Sequence, residues 1–188
     1  MTRTLILGGA RSGKSAYAEQ LAMARGKQVI YVATARPFDS EMVVRIREHA
    51  RRRDPSWHTV EEPIELGACI TRHAAAGKLV LVDCLTLWLT NLLFSGDQQF
   101  PEVGDIPAPE IFARQRAAFL TALEQAAGDV ILVSNEVGMG IVPMGAASRW
   151  FVDQAGWLNQ AVAARCDRVT FVAAGLPLQL KGGPCLSD

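Results

Sequence analysis

Gly8, Gly13, Lys14 and Ser15 stand in the order Gly-x4-Gly-Lys-Ser, a spacing suited to holding a chain of phosphates. Glycines let the main chain take angles and approach distances that a Cβ forbids. Successive N–H groups of such a loop, with those of a helix N-terminus behind it, converge on one anion. Lys14 adds a mobile positive charge for the β and γ phosphates, and the Ser15 hydroxyl suits Mg²⁺. The stretch Gly8-Gly9-Ala10-Arg11-Ser12-Gly13-Lys14-Ser15 therefore reads as a Walker A cradle for a nucleotide. A plain glycine-rich turn is the competing explanation, disfavoured because the match lies between a strand and a helix.

Two further positions carry chemistry. Lys78-Leu79-Val80-Leu81-Val82-Asp83 is an apolar run closing on a carboxylate, the form of a Walker B strand, whose Asp reaches Mg²⁺ or a metal-bound water. An acidic cap for the helix that follows is the competing explanation, disfavoured because a phosphate loop lies upstream. His49 falls at i+7 from Met42 and i+3 from Ile46, on the apolar side of a helical pattern that ends in Arg51-Arg52-Arg53. A half-buried structural histidine, with arginines that suit the helix macrodipole, accounts for that segment without any ligand.

Apolar periodicity supplies the elements that must position these groups. Strands are expected at 4–7, 28–33, 78–83, 129–134 and 168–173, with a short extended segment at 57–61. Helices are expected at 13–25, from an Asp39 or Ser40 cap to Arg53, and at 64–76, 85–94, 109–127 and 148–164. Strand–helix–strand units of this length make the strands parallel, and ligands of such sheets sit beyond the strands' carboxyl ends, near Ala33-Thr34-Ala35. Arg168 to Ala173, Gly175-Leu176-Pro177 and Leu178 to Lys181 read as strand, turn and strand, an antiparallel edge hairpin. The expected fold class is α/β: a mostly parallel central sheet flanked by helices, closed by that hairpin. Ser95 to Pro109 reads as a loop, a lid or a partner contact, and Val137 to Pro143 as a glycine-relieved loop at the ligand end, serving either function or the turn alone.

With 188 residues, 49% of them hydrophobic, the chain can bury roughly 70% of its unfolded surface. One nucleotide-binding domain spanning 1–188 is expected, its tail from Gly182 frayed. Nineteen basic and nineteen acidic residues cancel, leaving no field to attract nucleic acid or an anionic membrane. Cys69, Cys84, Cys166 and Cys185 are scattered away from His49, His58 and His73, without zinc-ligand spacing, and read as free thiols. The N-terminus lacks the basic flank and apolar segment of a secretory signal, and no apolar run reaches the roughly 20 residues of a membrane helix. A cytoplasmic protein without a stable membrane anchor is expected.

Assembled in order, these residues resemble the bifunctional adenosylcobinamide kinase and adenosylcobinamide-phosphate guanylyltransferase family of cobalamin biosynthesis. The likeness is carried by Gly8 to Ser15, Ala33-Thr34-Ala35, Asp39-Ser40-Glu41-Met42, Arg45-Ile46 through His49, and Trp57 to Glu61. It continues through Val82 to Thr86, Thr90 to Leu93, Asn135 to Pro143, and Gly156 to Gln160.

The resemblance implies a P-loop NTPase-like fold, a kinase acting on adenosylcobinamide with ATP or GTP, and a GTP-dependent guanylyltransferase. It further implies His49 as a covalent nucleophile, catalytic beside Lys14, and a homotrimer. Nucleotide contacts carry over to Gly8, Gly9, Ala10, Arg11, Ser12, Gly13, Lys14, Ser15, Ala33, Thr34, Ala35, Ala50, Arg51, Arg52, Arg53, Glu61 and Asp83, with Mg²⁺ on Ser15 and Asp83. A neutral imidazole suits attack on the α phosphate, and at a reference pKa near 6.5 about three quarters of such rings are neutral at pH 7. Two rivals are a kinase of another small molecule without a covalent step and a signalling GTPase. Against the latter, no Asn-Lys-x-Asp guanine-reading motif occurs.

Overall fold

In a computed structural model of the chain, the structure describes residues 1–37, 40–93, 100–101, 104 and 106–183, the side chains of 41, 45, 49 and 52 excepted. Residue runs that alternate between two apolar faces become strands: β1 (Arg3–Gly8), β2 (Gln28–Ala33), β3 (His58–Glu61), β4 (Lys78–Asp83), β5 (Asp129–Asn135), β6 (Arg168–Ala173) and β7 (Leu176–Lys181). They form one sheet in the order β3-β2-β4-β5-β1-β6-β7. Every neighbouring pair is parallel except β6 and β7, the expected antiparallel edge hairpin. Its turn is Ala174-Gly175, both at positive φ, so Leu176 and Pro177, expected in the turn, pair with Ala173 and Val172 as the start of β7.

Period-two alternation divides the core. Leu5, Leu7, Ile30, Val32, Val80, Val82, Val130 and Leu132 face one side, covered by α3 (Leu66–His73), α4 (Leu85–Leu93), α5 (Glu110–Gln125) and α6 (Ala146–Arg165). Ile6, Val29, Tyr31, Leu79, Leu81, Ile131 and Val133 face the other, where Tyr17, Ala18, Leu21 and Ala22 of α1 (Lys14–Ala24) pack. Both faces being buried there, the inner strands β1, β2, β4 and β5 are nearly continuous apolar runs, as parallel sheets require, whereas β3 and β7 at the edges are mostly exposed.

Two helices, α3 and α5, stop two or three residues short of the limit that periodicity predicts, for one reason. The Ala74 carbonyl accepts hydrogen bonds from the Ala127 and Gly128 N–H groups, at 3.1 and 2.7 Å. That tie takes Ala74 out of α3 and pulls the chain out of α5 after Gln125, so neither reaches its expected limit of Ala76 or Ala127. At the start of α3, the Glu62 carboxylate accepts from the Ile64 and Glu65 N–H groups and holds a turn where helix was expected. The segment expected merely to be extended, β3, is a paired strand, with Ile30 opposite His58 and Ala33 opposite Glu61. Asp39, Phe94, most of the 95–109 segment and the tail beyond 183 lie outside the described residues.

Candidate functional site

Register brings the singled-out residues to one end of the sheet. Glu61 is opposite Ala33, Ala33 opposite Asp83, and Asp83 opposite Val133; two residues on, Asn135 of β5 is opposite Gly8. Asp83 and the phosphate loop therefore share the carboxyl end of the sheet, with the single strand β5 between them, where open parallel sheets bind ligands.

Between β1 and α1 the loop has little freedom. A Cβ on Gly8 would come within 2.5 Å of both Ser12 Oγ and the Val172 carbonyl. Gly13 has φ +96°, and a Cβ there would meet Gly175 Cα of the β6–β7 turn at 3.1 Å. The Gly175 N–H donates to the Ser12 carbonyl at 2.8 Å, so the C-terminal hairpin braces the loop from below. Gly9, by contrast, looks onto open space. Gly13 is the N-cap of α1 and offers no side-chain oxygen to its first N–H groups, which leaves that turn suited to an anion. Lys14 is mostly buried, and its ammonium donates to the Gly9 carbonyl at 3.2 Å. Arg11 is exposed with φ 55°, and Ser15 is half-buried.

Beyond β2, the three residues of the Ala33–Ala35 tripeptide differ. Thr34 is wholly buried; its hydroxyl donates to the Cys84 carbonyl at 2.8 Å and accepts from the Cys84 N–H at 2.9 Å. Its carbonyl accepts from Asn91 Nδ2 at 2.7 Å and its N–H donates to the Asp83 carbonyl. Thr34 thus spends its polar atoms fastening the end of β2 to the end of β4, while Ala33 and Ala35 beside it are half-buried.

Asp83 Oδ2 accepts a hydrogen bond from the Tyr31 hydroxyl at 3.0 Å. Burial, reinforced by the Asp83 charge, pushes the Tyr31 phenol well above its ordinary pKa, so it stays protonated as a donor. The Arg53 guanidinium lies 3.7 Å from the centre of the Tyr31 ring, and Trp57 stacks near the same ring with centroids 6.3 Å apart. Arg53 Nε is buried without a hydrogen-bond partner among the described residues. Sequence reasoning passed over Tyr31; the available signal was a lone hydroxyl in an aliphatic strand, since a buried Tyr O–H needs a partner.

A second polar link was also missed. Thr86 Oγ1 accepts from Asn135 Nδ2 at 2.9 Å and lies 3.1 Å from Cys84 Sγ, and Asn159 Nδ2 reaches the Asn135 carbonyl at 3.4 Å. The Glu136 N–H donates to the Gly8 carbonyl, which seats the 137–144 loop beside the phosphate loop with Met139, Ile141 and Met144 exposed.

The backbone of α2 (Ser40–Arg52) carries His49, Ala50, Arg51 and Arg52; Ala50 and Arg51 are exposed, whereas the side chains of His49 and Arg52 lie outside those described. Ser15 and Asp83 offer hard oxygen donors. Among the described residues no group of three or more His, Cys, Asp or Glu gathers to hold a metal. Two oxygen ligands completed by water and phosphate are what Mg²⁺ takes, so these residues fit it.

Residues 4–180 match the model of the cobinamide kinase / cobinamide phosphate guanyltransferase family. The chain is 53% identical over 182 residues to the bifunctional adenosylcobalamin biosynthesis protein CobP of Pseudomonas aeruginosa, covering 97% of this chain and 99% of that one. It is 41% identical over 179 residues to the protein CobU of Salmonella typhimurium, covering 94% and 98%. Among solved structures, an ATPase from the type III secretion system of pathogenic bacteria superposes with TM-score 0.52 at 11% identity, covering 95% of this chain and 56% of that one, a likeness of fold alone. The fold is that of the P-loop NTPases, and over nearly its whole length the chain belongs to the cobinamide kinase / cobinamide phosphate guanyltransferase family, as a bifunctional kinase and guanylyltransferase.

Proposed function

We propose that the protein phosphorylates adenosylcobinamide and then transfers GMP from GTP, through a guanylylated His49, to adenosylcobinamide phosphate, giving adenosylcobinamide-GDP in cobalamin biosynthesis. One observation carries the nucleotide half of this: a backbone-lined anion cradle and a strand-end carboxylate share one end of the sheet, in a chain 53% identical to a protein named bifunctional. Gly8 to Ser15 hold the triphosphate, with Lys14 neutralising charge that develops on the β and γ phosphates. When bound on Ser15 and Asp83, Mg²⁺ supplies charge neutralisation for the same phosphates.

In the kinase step the substrate hydroxyl attacks the γ phosphorus of ATP or GTP and gives its proton to water, while the bond from that phosphorus to the β,γ-bridging oxygen breaks and the nucleoside diphosphate departs. In the transfer step the neutral His49 imidazole attacks the α phosphorus of GTP, a P–N bond forms, pyrophosphate leaves, and the ring sheds its proton to water. A phosphate oxygen of adenosylcobinamide phosphate then attacks the same phosphorus, breaks the P–N bond and restores His49. Splitting one transfer into two lowers each barrier, and the exposed Arg51 and the neighbouring Arg52 and Arg53 suit the anions that come and go. Ala33, Ala35, Ala50 and Glu61 complete the nucleotide contacts.

The chain works as a single domain and as a homotrimer in the cytoplasm, where nucleoside triphosphates are supplied. Trimerisation is favoured by Leu176, Leu178 and Leu180 along the edge strand β7, which are 72%, 60% and 57% exposed.

Incubation with α-labelled GTP tests the covalent step. Acid-labile, alkali-stable label is expected on the protein and is expected to vanish in His49→Ala, which keeps most of the kinase activity. Transfer of γ label to substrate without any α label on wild-type protein would instead identify a kinase with no covalent step.

A further inference from the structure

Asp83 stands at the end of its strand, where a carboxylate turns about two side-chain bonds and can present its oxygens in several directions. The structure removes that choice. Tyr31 lies opposite Leu81 in the β2–β4 register, so Asp83 is its diagonal neighbour two residues along the partner strand, within reach of a tyrosine hydroxyl. The hydroxyl closes that diagonal at 3.0 Å on Asp83 Oδ2.

The donor is itself immobile. Tyr31 is 1% exposed and belongs to the core cluster that also holds Tyr17, Leu81 and Val133. Its ring carries the Arg53 guanidinium at 3.7 Å and has Trp57 stacked nearby, so its position is set from the sheet and from the segment that follows α2. A hydrogen bond from a buried, clamped donor to a carboxylate selects one orientation of that carboxylate.

We propose that Tyr31 is a positioning residue for Asp83, its hydroxyl holding the carboxylate in the orientation that serves the metal-bound nucleotide. The inference rests on the assignment of Asp83 to that role. The residue acts only through Asp83 and touches neither nucleotide nor reacting phosphorus. Nothing in it depends on His49 or on the identity of the phosphate acceptor.

The test separates metal-assisted from metal-independent binding. Affinity for guanosine 5′-[β,γ-imido]triphosphate is measured by calorimetry in saturating Mg²⁺ and in EDTA, on the wild type, Tyr31→Phe and Asp83→Asn. In wild type the metal raises affinity. In Tyr31→Phe that gain is expected to shrink by about tenfold, the low end of the loss seen when a partner of a metal ligand is removed. Affinity in EDTA should stay unchanged, and 4-aminophenylalanine at position 31, which restores a donor, should recover the gain. Thermal melting checks folding; 4-fluorophenylalanine, which fills the space of the lost hydroxyl, supplies the donor-less comparison should Tyr31→Phe unfold.

Three results would overturn the proposal. If Tyr31→Phe keeps the full metal gain while Asp83→Asn loses it, Tyr31 has no positioning role and Asp83 keeps its own. Equal losses in Mg²⁺ and in EDTA would make Tyr31 a packing residue. Should Asp83→Asn also keep the gain, the assignment of Asp83 to the metal falls, and the positioning role with it.

Discussion

At the scale of single residues, the site rests on a few side chains whose partners fix their roles. Lys14 is mostly buried yet reaches the Gly9 carbonyl, a contact that phosphate oxygens can replace with stronger, charge-assisted ones. Lys14→Ala is expected to lower both kinase and guanylyl-transfer rates by at least about 100-fold, as loss of a preorganised donor does, while the melting temperature hardly moves; steady-state assays of each half-reaction check it. Asp129 carries structure. It is 3% exposed, accepts from the Thr2 N–H at 2.8 Å and pairs with Lys27 Nζ at 2.8 Å. Burial pushes its pKa up, but the Lys27 and Thr2 hydrogen bonds and the Lys27 charge outweigh that, and the net shift is downward. A depressed carboxyl pKa means stability present above the unfolded value and lost as pH falls through the folded one. Asp129→Asn should therefore cost about 1–2 kcal/mol at pH 7, with the difference from wild type fading below the unfolded carboxyl pKa of about 3.9, read from urea unfolding at several pH values. Burial also raises the Cys69 and Cys166 thiols to about 11 and about 12, so both should resist thiol reagents at pH 8 until the chain unfolds.

At the scale of elements, the close approaches decide. Gly67 on α3 lets that helix touch α5: a Cβ would stand 2.7 Å from the Ala118 carbonyl carbon and 2.8 Å from the Phe119 nitrogen. These are backbone atoms that cannot step aside, so Gly67→Ala is expected to destabilise by about 1–3 kcal/mol, measured by chemical denaturation. Such a contact has no signature in the sequence, because an ordinary-looking glycine in an alanine-rich helix becomes special only once α5 arrives. The element types were nonetheless largely legible. Apolar runs such as Leu79 to Val82 and Val130 to Val133 could only be buried strands, and the parallel pairing followed from the helices between them. Boundaries were less so. The ends of α3 and α5 are set by one carbonyl, that of Ala74, bonded to residues far along the chain.

At the scale of the whole molecule, sheet order sets the distance between phosphate loop and carboxylate. It also leaves an apolar edge at β7, where Leu176, Leu178 and Leu180 are exposed, although a register shift opposite Val169 and Thr170 breaks the strand's alternation at Leu180. Leu178→Lys is expected to weaken the proposed trimer, moving the mass seen by sedimentation toward that of one chain while the melt of the monomer persists. The amino-acid order by itself determined the chemistry of the loop, since Gly8, Gly13, Lys14 and Ser15 present backbone N–H groups, a cation and a hydroxyl through local backbone conformation. It likewise determined which segments are strands, because burial on both faces demands unbroken apolar runs. Only the tertiary structure decided what surrounds those groups. It spent Thr34 on Cys84, set Gly175 beneath Gly13 and brought the Tyr31 hydroxyl to Asp83. Those contacts join residues far apart in the chain, and what brings them together is the order and register of strands, which no local pattern encodes.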